Sequence, residues 1–198
     1  MNFVKEKLKS FLRAKVGSER YHHSLCVADE AKKLAKRYVE DENKAYVAGL
    51  LHDITKEFTE KDHFKLIKKY DVKLDEIELR TEKLWHAITA PLYIKEELKI
   101  EDEDILNAIR YHTTGRADMG KLEEIIFLAD FISEDRKKEF KNVEEARDVA
   151  YKNLEEGVLY ELRYSIKSLI KKESPISLES VKAYNYYLLL GKEIEMKD

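Results

Sequence analysis

Apolar residues return every three or four positions along most of this chain, while runs that alternate apolar with polar residues are short and few. That periodicity predicts an all-α protein. Ala, Leu, Lys and Glu dominate the long stretches, and only 2 prolines and 6 glycines interrupt them. The opening segment, MNFVKEKLKSFLRAKVG, places Val4, Leu8, Phe11 and Leu12 at helical spacing on a basic background. It lacks the continuous apolar centre of a signal peptide, so a first helix packed on the domain is expected rather than membrane attachment. From Glu19 to Tyr38, Val27, Ala31, Leu34 and Tyr38 form one stripe, and His23 extends it inward from one turn before Val27. His22 points about 100° away, toward the periphery.

The chemistry begins at Ala45 to Lys56, AYVAGLLHDITK. Eight of its first ten residues are apolar or glycine, which predicts a helix buried on nearly every side, with Asn43 as its cap. His52 and Asp53 then close it side by side. Two ionisable groups at the end of a buried segment cost several kcal/mol (about 2–7 for one unbonded polar group) unless something accepts them. A metal ion would accept an imidazole beside a carboxylate; Asp53 meeting Lys56 at an ordinary helix end is the competing explanation.

Thr59 to Arg80 predicts two short amphipathic helices split around Tyr70-Asp71, with His63 at the surface among Lys61, Asp62 and Lys65. Leu84-Trp85-His86 leads into a helix reaching about Leu98, with His86 at its entrance and Pro91 in the first turn or at a kink. A helix from Asp102 carries Ile105, Ala108, Ile109 and His112 on one side and ends in Thr113-Thr114-Gly115-Arg116. Gly115 suits a left-handed terminating residue. The two hydroxyls, the freed amides and Arg116 can hold a phosphate, or simply cap the helix. Lys121 to Ile132, KLEEIIFLADFI, reads as a buried helix with Asp130 on the side of Ile126. A buried carboxylate needs a cation, a metal or several donors, and Arg136 is one available partner. Two further helical segments, about Asn142 to Lys172 and Leu178 to Gly191, meet across Ser174-Pro175. Tyr160, Tyr164, Tyr184, Tyr186 and Tyr187 enrich them in aromatics, for core packing before base stacking.

Composition narrows the classes. A chain of 198 residues supports one domain, with a core over about 16–135 and the helices of 142–191 packed on it. Charged residues make up 39% yet the net charge is −3, so the balance argues for solvated helix faces and against a nucleic-acid partner. No apolar run reaches the ~18–20 residues of a membrane span. The single Cys26 cannot form an internal disulfide, which fits a reducing cytoplasm.

Three apolar segments thus deliver His23, His52-Asp53 and Asp130, the way helical bundles build metal sites. Their order resembles the HD-domain superfamily of metal-dependent phosphohydrolases. Within it, Arg20-Tyr21-x-His23-Ser24, Gly49-Leu50-Leu51-His52-Asp53-x-x-Lys56, Leu84-Trp85-His86, Ile109 to Arg116 (IRYHTTGR) and Leu128-Ala129-Asp130 resemble the YqeK group, symmetrical diadenosine tetraphosphate hydrolases of bacteria. The resemblance spans roughly Val16 to Leu190. Departures are Cys26 and Ala87 where glycine is expected, Phe131 for tyrosine, and Ser133-Glu134-Asp135 for a Glu-Pro run before Arg136. They bear on substrate fit and remove no presumed ligand.

The resemblance implies a site in which His23, His52, Asp53 and Asp130 hold one or two ions. It points to iron, with manganese or another divalent ion as alternatives. A metal-activated water would cleave the polyphosphate with ADP leaving, and Asp53 or Asp130 would take up a proton. His86 and His112 would lie beside the phosphates as donors, as leaving-group acid or as ligands of a second ion. Lys56, Thr113, Arg116 and Arg136 would offset transition-state charge, and Thr114 would join them in binding the substrate. Two alternatives share these residues: a phosphohydrolase of mononucleotides or another nucleotide messenger, and a non-catalytic nucleotide-binding module. A homodimer is left open as the quaternary state.

Overall fold

The structure is a computed structural model that describes residues 2–138 and 142–190, the side chains of 2–4, 137 and 138 excepted. The expected places of the Val4 side chain and of Gly191 lie outside what is described. Among the described residues there are helices and no strands. In chain order these are α1 (Asn2–Arg13), α2 (Ser18–Arg37), α3 (Glu42–Leu51), α4 (Glu60–Lys69), α5 (Glu76–Arg80) and α6 (Glu82–Leu98). After them come α7 (Glu103–Tyr111), α8 (Lys121–Ile132), a 3₁₀ turn (Glu134–Lys138), α9 (Val143–Lys152), α10 (Leu154–Lys171) and α11 (Leu178–Leu189).

Helices α2, α3, α7 and α8 form the centre, with α2 against α3 and α8, and α7 against α8 and α3. Leu34, Leu50, Leu51, Ile54, Ile109, Ile125, Ile126 and Leu128 are fully buried there. Burying such a side chain contributes about 1.5–3 kcal/mol, which is why the apolar run of α3 and that of α8 sit inside rather than on a face. The predicted helix over Lys121 to Ile132 matches α8 residue for residue. Helix α1 docks through Leu8 and Leu12, in the same cluster that reaches Ala183 and Tyr187 of α11. No helix among the described residues is long and apolar enough to cross a membrane.

Four local expectations are corrected. Asp41, not Asn43, caps α3, its carboxylate accepting from the amides of Asn43 and Lys44 at 2.7 and 3.0 Å. Asp is as good a cap as Asn, and it stands where the chain is still extended. Helix α6 begins at Glu82, so His86 sits in its second turn and Pro91 well inside it. The segment from 142 to 172 is two helices, because Asn153 takes an extended conformation and caps α10 through the amide of Glu156. His63 is buried: with Leu66 and Ile67 it forms the inward face of α4, and its Nδ1 lies 2.8 Å from Thr89 Oγ1. Its charged neighbours occupy the other faces of the same helix, which a reading by neighbourhood rather than by phase missed.

One buried pair on α8 makes stability depend on pH. Glu124 accepts a hydrogen bond from the Tyr187 hydroxyl at 2.6 Å. Burial lifts its carboxyl from an ordinary 4.5 to about 7, with the tyrosine hydrogen bond opposing. The folded chain therefore holds a proton that the unfolded chain has lost, so the fold loses stability as pH rises from about 4.5 to about 7. The loss is of order 1–3 kcal/mol. Glu124→Gln is expected to flatten the fall of Tm between pH 5 and 7.5 in thermal melts. An unchanged slope would place the proton elsewhere.

Candidate metal centre and active site

His52 and His112 are built alike. Each is the residue that follows a helix, of α3 and α7 respectively, and each turns its ring back on its own last turn. The Nδ1–H of His52 donates to the Gly49 carbonyl at 2.7 Å, and that of His112 to the Ile109 carbonyl at 2.7 Å. Helix ends leave carbonyls without intrahelical partners, and these rings satisfy two of them. A carbonyl can only accept, so the proton is on Nδ1 and each Nε2 lone pair faces inward.

His23 enters from α2 in the same sense. Its Nδ1 donates to Asp135 of the 3₁₀ turn at 2.7 Å, and its Nε2 lies 3.0 Å from Asp130 Oδ1. Asp53 is buried, with Oδ2 at 2.6 Å from Arg20, 3.5 Å from His52 Nε2 and 4.0 Å from His23 Nε2. Asp130, on α8, is the most open of the four, and Arg136 donates to its Oδ1 at 2.7 Å and to its carbonyl at 3.0 Å.

Two groups of ligand atoms result, each within 4.8 Å: His23, His52 and Asp130, and His52, Asp53 and His112. They share His52 and together contain all four residues expected to bind metal. His112 joins the second, as one of its three sequence-stated roles allowed.

The electrostatics ask for a cation. Burial works against ionised carboxylates here, but the histidines around Asp53 and the Arg136 charge and histidines around Asp130 hold both well below the ordinary range. Burial also disfavours charge on His23, yet Asp130 and Asp135 outweigh it and lift the imidazole to about 9. A proton on His23 Nε2 thus stands in for positive charge between carboxylates. Burial lowers His52, keeping its ring neutral. Its Nε2 and Asp53 Oδ1 are buried without a hydrogen-bond partner, a cost of about 1–3 kcal/mol each that a bound ion would relieve. An N/O donor set of imidazoles and ionised carboxylates suits a divalent metal, which would take the place of the His23 proton.

The model of the HD domain family matches residues 20–135 of this chain, which contain His23, His52, Asp53, His112, Asp130 and Asp135. The chain belongs to the HD-domain family. Proteins named symmetrical bis(5'-nucleosyl)-tetraphosphatase are similar to it over nearly their whole length. That of Halalkalibacterium halodurans is 37% identical, covering 94% of this chain and 98% of its own. That of Bacillus subtilis is 32% identical, covering 92% and 96%. The crystal structure of a predicted HD superfamily hydrolase involved in NAD metabolism from Clostridium acetobutylicum superposes with a TM-score of 0.89. It is 36% identical and covers 93% of this chain and 96% of that one.

Beside these two groups, this HD domain places His86, Lys56 and Thr113. His86 Nε2 is 3.1 Å from both Asp53 Oδ1 and His112 Nε2, and the Lys56 ammonium lies 2.9 Å from it. Burial first, and then the Lys56 charge, push His86 down to about 3 despite Asp53, so its ring is neutral. Burial likewise lowers Lys56, with Asp53 opposing. Thr113 Oγ1 is 3.0 Å from His112 Nε2 and 3.3 Å from His86 Nε2. Gly115 has φ +61°, the left-handed turn expected after α7. Thr114 Oγ1 donates to the Gly115 carbonyl, and the Thr114 carbonyl accepts from Ser180 of α11 at 2.8 Å. Arg116 is engaged elsewhere: its fork grips Glu123 at 2.8 and 2.6 Å, and Nη1 donates to the carbonyls of Ala117 and Asp118. It pins the loop that starts α8.

Residues that sequence reasoning gave no role matter here. Asp135 fixes the His23 ring and Arg20 binds Asp53. Thr55 donates to the His86 carbonyl at 3.0 Å, and the Thr89 hydroxyl lies 3.1 Å from that of Thr55. The motif Arg20-x-x-His23 was a usable signal for Arg20, one turn from a candidate ligand. Asp135 carried none, since its contact bridges 112 residues. Partners that orient a metal-ligating histidine typically contribute about 10–100-fold to metal affinity. Asp135→Ala is expected to weaken metal binding by that factor in a chelator competition, with secondary structure intact by circular dichroism.

Proposed function

We propose that this HD domain is a metal-dependent hydrolase that cleaves diadenosine tetraphosphate symmetrically to two ADP. The observation that carries the reading is the convergence of His23, His52, Asp53, His112 and Asp130 with two buried ligand atoms left unbonded. The near full-length likeness to symmetrical tetraphosphatases supports the substrate.

His23, His52, Asp53 and Asp130 would hold the metal, and His112 is placed to join them. When bound, the metal would supply an activated water and offset phosphate charge. The chain does the rest. Lys56 and Arg136 attract and orient the anionic chain of phosphates, and Thr113 offers a hydroxyl to it. His86, neutral and close to Lys56, donates from Nε2 to a phosphate oxygen or to the leaving group. The carboxylate oxygen of Asp53 not turned to Arg20 accepts a proton. Thr114 contributes by shaping the turn, and Arg116 reaches phosphate only by leaving Glu123. Arg116→Ala is therefore expected to raise KM and also lower stability by about 1–3 kcal/mol, since a charged hydrogen-bonded pair is broken. Metal content should not change.

With this reading go an iron centre of one or two ions, with manganese or another divalent ion as substitutes. We also attach a single domain, a cytoplasmic location, no nucleic-acid partner and a homodimer. Elemental analysis and sedimentation test the ions and the oligomer. The deciding experiment follows products from dinucleoside polyphosphates, mononucleotides and cyclic dinucleotides. ADP alone from diadenosine tetraphosphate is expected. AMP plus ATP, or turnover of mononucleotides alone, would overturn the assignment.

A further inference from the structure

A cavity of about 560 Å³ opens from the site, reaching from Asp130, His112 and Thr113 along α10 toward the start of α11. This is the size of a pocket for one nucleoside-sized ligand. One wall is a face of α10, where Glu161, Tyr164, Ser165, Ser168 and Leu169 recur at helical spacing, and the start of α6 and residues 80–81 before it form another.

Glu161 is the oddity on that wall. It is 8% exposed, lines the cavity, and its Oε2 has no hydrogen-bond partner. Packing gives no reason for a carboxyl there, where a leucine would avoid the cost. Beside it, one turn along, the Tyr164 ring meets that of Phe131 at 5.2 Å between centroids, and both rings line the same cavity. A polyphosphate gains nothing from Glu161, because anionic oxygens need donors or cations and Glu161 presents an unbonded oxygen. The phosphates belong at the end with Lys56 and Arg136. What suits a lone carboxyl between aromatic rings is a flat heterocycle with an amino group on its edge.

We propose that Glu161 determines base specificity, its carboxyl accepting a hydrogen bond from the six-position amino group of an adenine that lies against Tyr164. This rests on the reading of the site as a dinucleoside polyphosphate hydrolase. Burial, and then the charge of Asp130, push the Glu161 carboxyl well above the ordinary range. Hypoxanthine carries a carbonyl in place of the amine and so has no six-position donor for the Glu161 oxygen.

The test compares diadenosine with diinosine tetraphosphate on the unsubstituted metalloenzyme, Glu161→Gln and Glu161→Leu, with metal content and Tm measured for each. The unsubstituted enzyme should prefer the adenine substrate by roughly 10–100-fold in kcat/KM, the range of one buried hydrogen bond whose loss leaves its acceptor unpaired. Glu161→Leu should bring that preference to near unity through KM, with metal content unchanged, while Glu161→Gln keeps part of it through its amide oxygen. An unchanged preference in Glu161→Leu would overturn the proposal. So would a loss that follows removal of a ribose hydroxyl instead of the base amine. If the unsubstituted enzyme cleaves neither substrate, the hydrolase reading fails by itself. Calorimetric binding of ADP against IDP to the same three proteins then decides the base contact separately, by the same ratio.

Discussion

Replacing Asp53 by alanine is expected to remove both bound metal and turnover. Asp53 touches more of the site than any other residue. Its Oδ2 is 3.5 Å from His52 Nε2 and 2.6 Å from Arg20, and its Oδ1 is 3.1 Å from His86 and 3.6 Å from His112. Without it the second ligand group keeps two imidazoles and no charge to balance an ion. Activity should fall by more than about 10³-fold, beyond the loss of one stabilising donor, because ligand, charge and proton acceptor go together. Elemental analysis and the ADP-release assay are read on the same preparation. Full activity in this variant would end the metal hypothesis. Asp53→Asn sharpens the result: it preserves size and one acceptor oxygen, so its loss of metal would report the missing charge and second oxygen rather than a missing side chain.

The largest structural effect is expected at Gly49. A Cβ there would stand 2.9 Å from the Cα of Ala28 and 3.1 Å from the Val27 carbonyl, both backbone atoms of α2 that cannot swing aside. Gly49→Ala must push α2 from α3, at a cost of about 1–3 kcal/mol, or roughly 2–12 °C in Tm for a chain of this size. Those two helices carry His23 and His52, and the Gly49 carbonyl itself orients the His52 ring. Metal affinity should therefore fall with Tm. Gly157→Ala is the control: its Cβ would stand 2.8 Å from the Cα of Ala150, between α9 and α10, which carry no metal ligand. It should lose comparable stability and keep its metal affinity. Equal affinity in both variants would show that the spacing of α2 and α3 does not set the ligand geometry.

Legibility followed the range of the interactions. Whatever depends on phase within one helix could be read directly. The all-α class, the bounds of α8, the inward phase of His23 and the buried run ending in His52-Asp53 all follow from apolar spacing. So does the oddity of Asp130, because an ionisable residue in an apolar phase is visible without a fold. His63 obeyed the same rule and was misjudged only because its neighbours in sequence are charged.

What could not be read joins residues far apart in the chain. The bridge from His23 to Asp135 and the grip of Arg116 on Glu123 rather than on an open anion site depend on where helices cross. So does the meeting of His86 with His112, and so does the cavity that leaves Glu161 facing the site. By itself the sequence determined which side chains had to be buried and which of them were too polar to be there without a partner. Only the tertiary structure decided who the partners are. Periodicity carries the face a residue takes on its own helix, and the packing of one helix on another selects the atoms it meets.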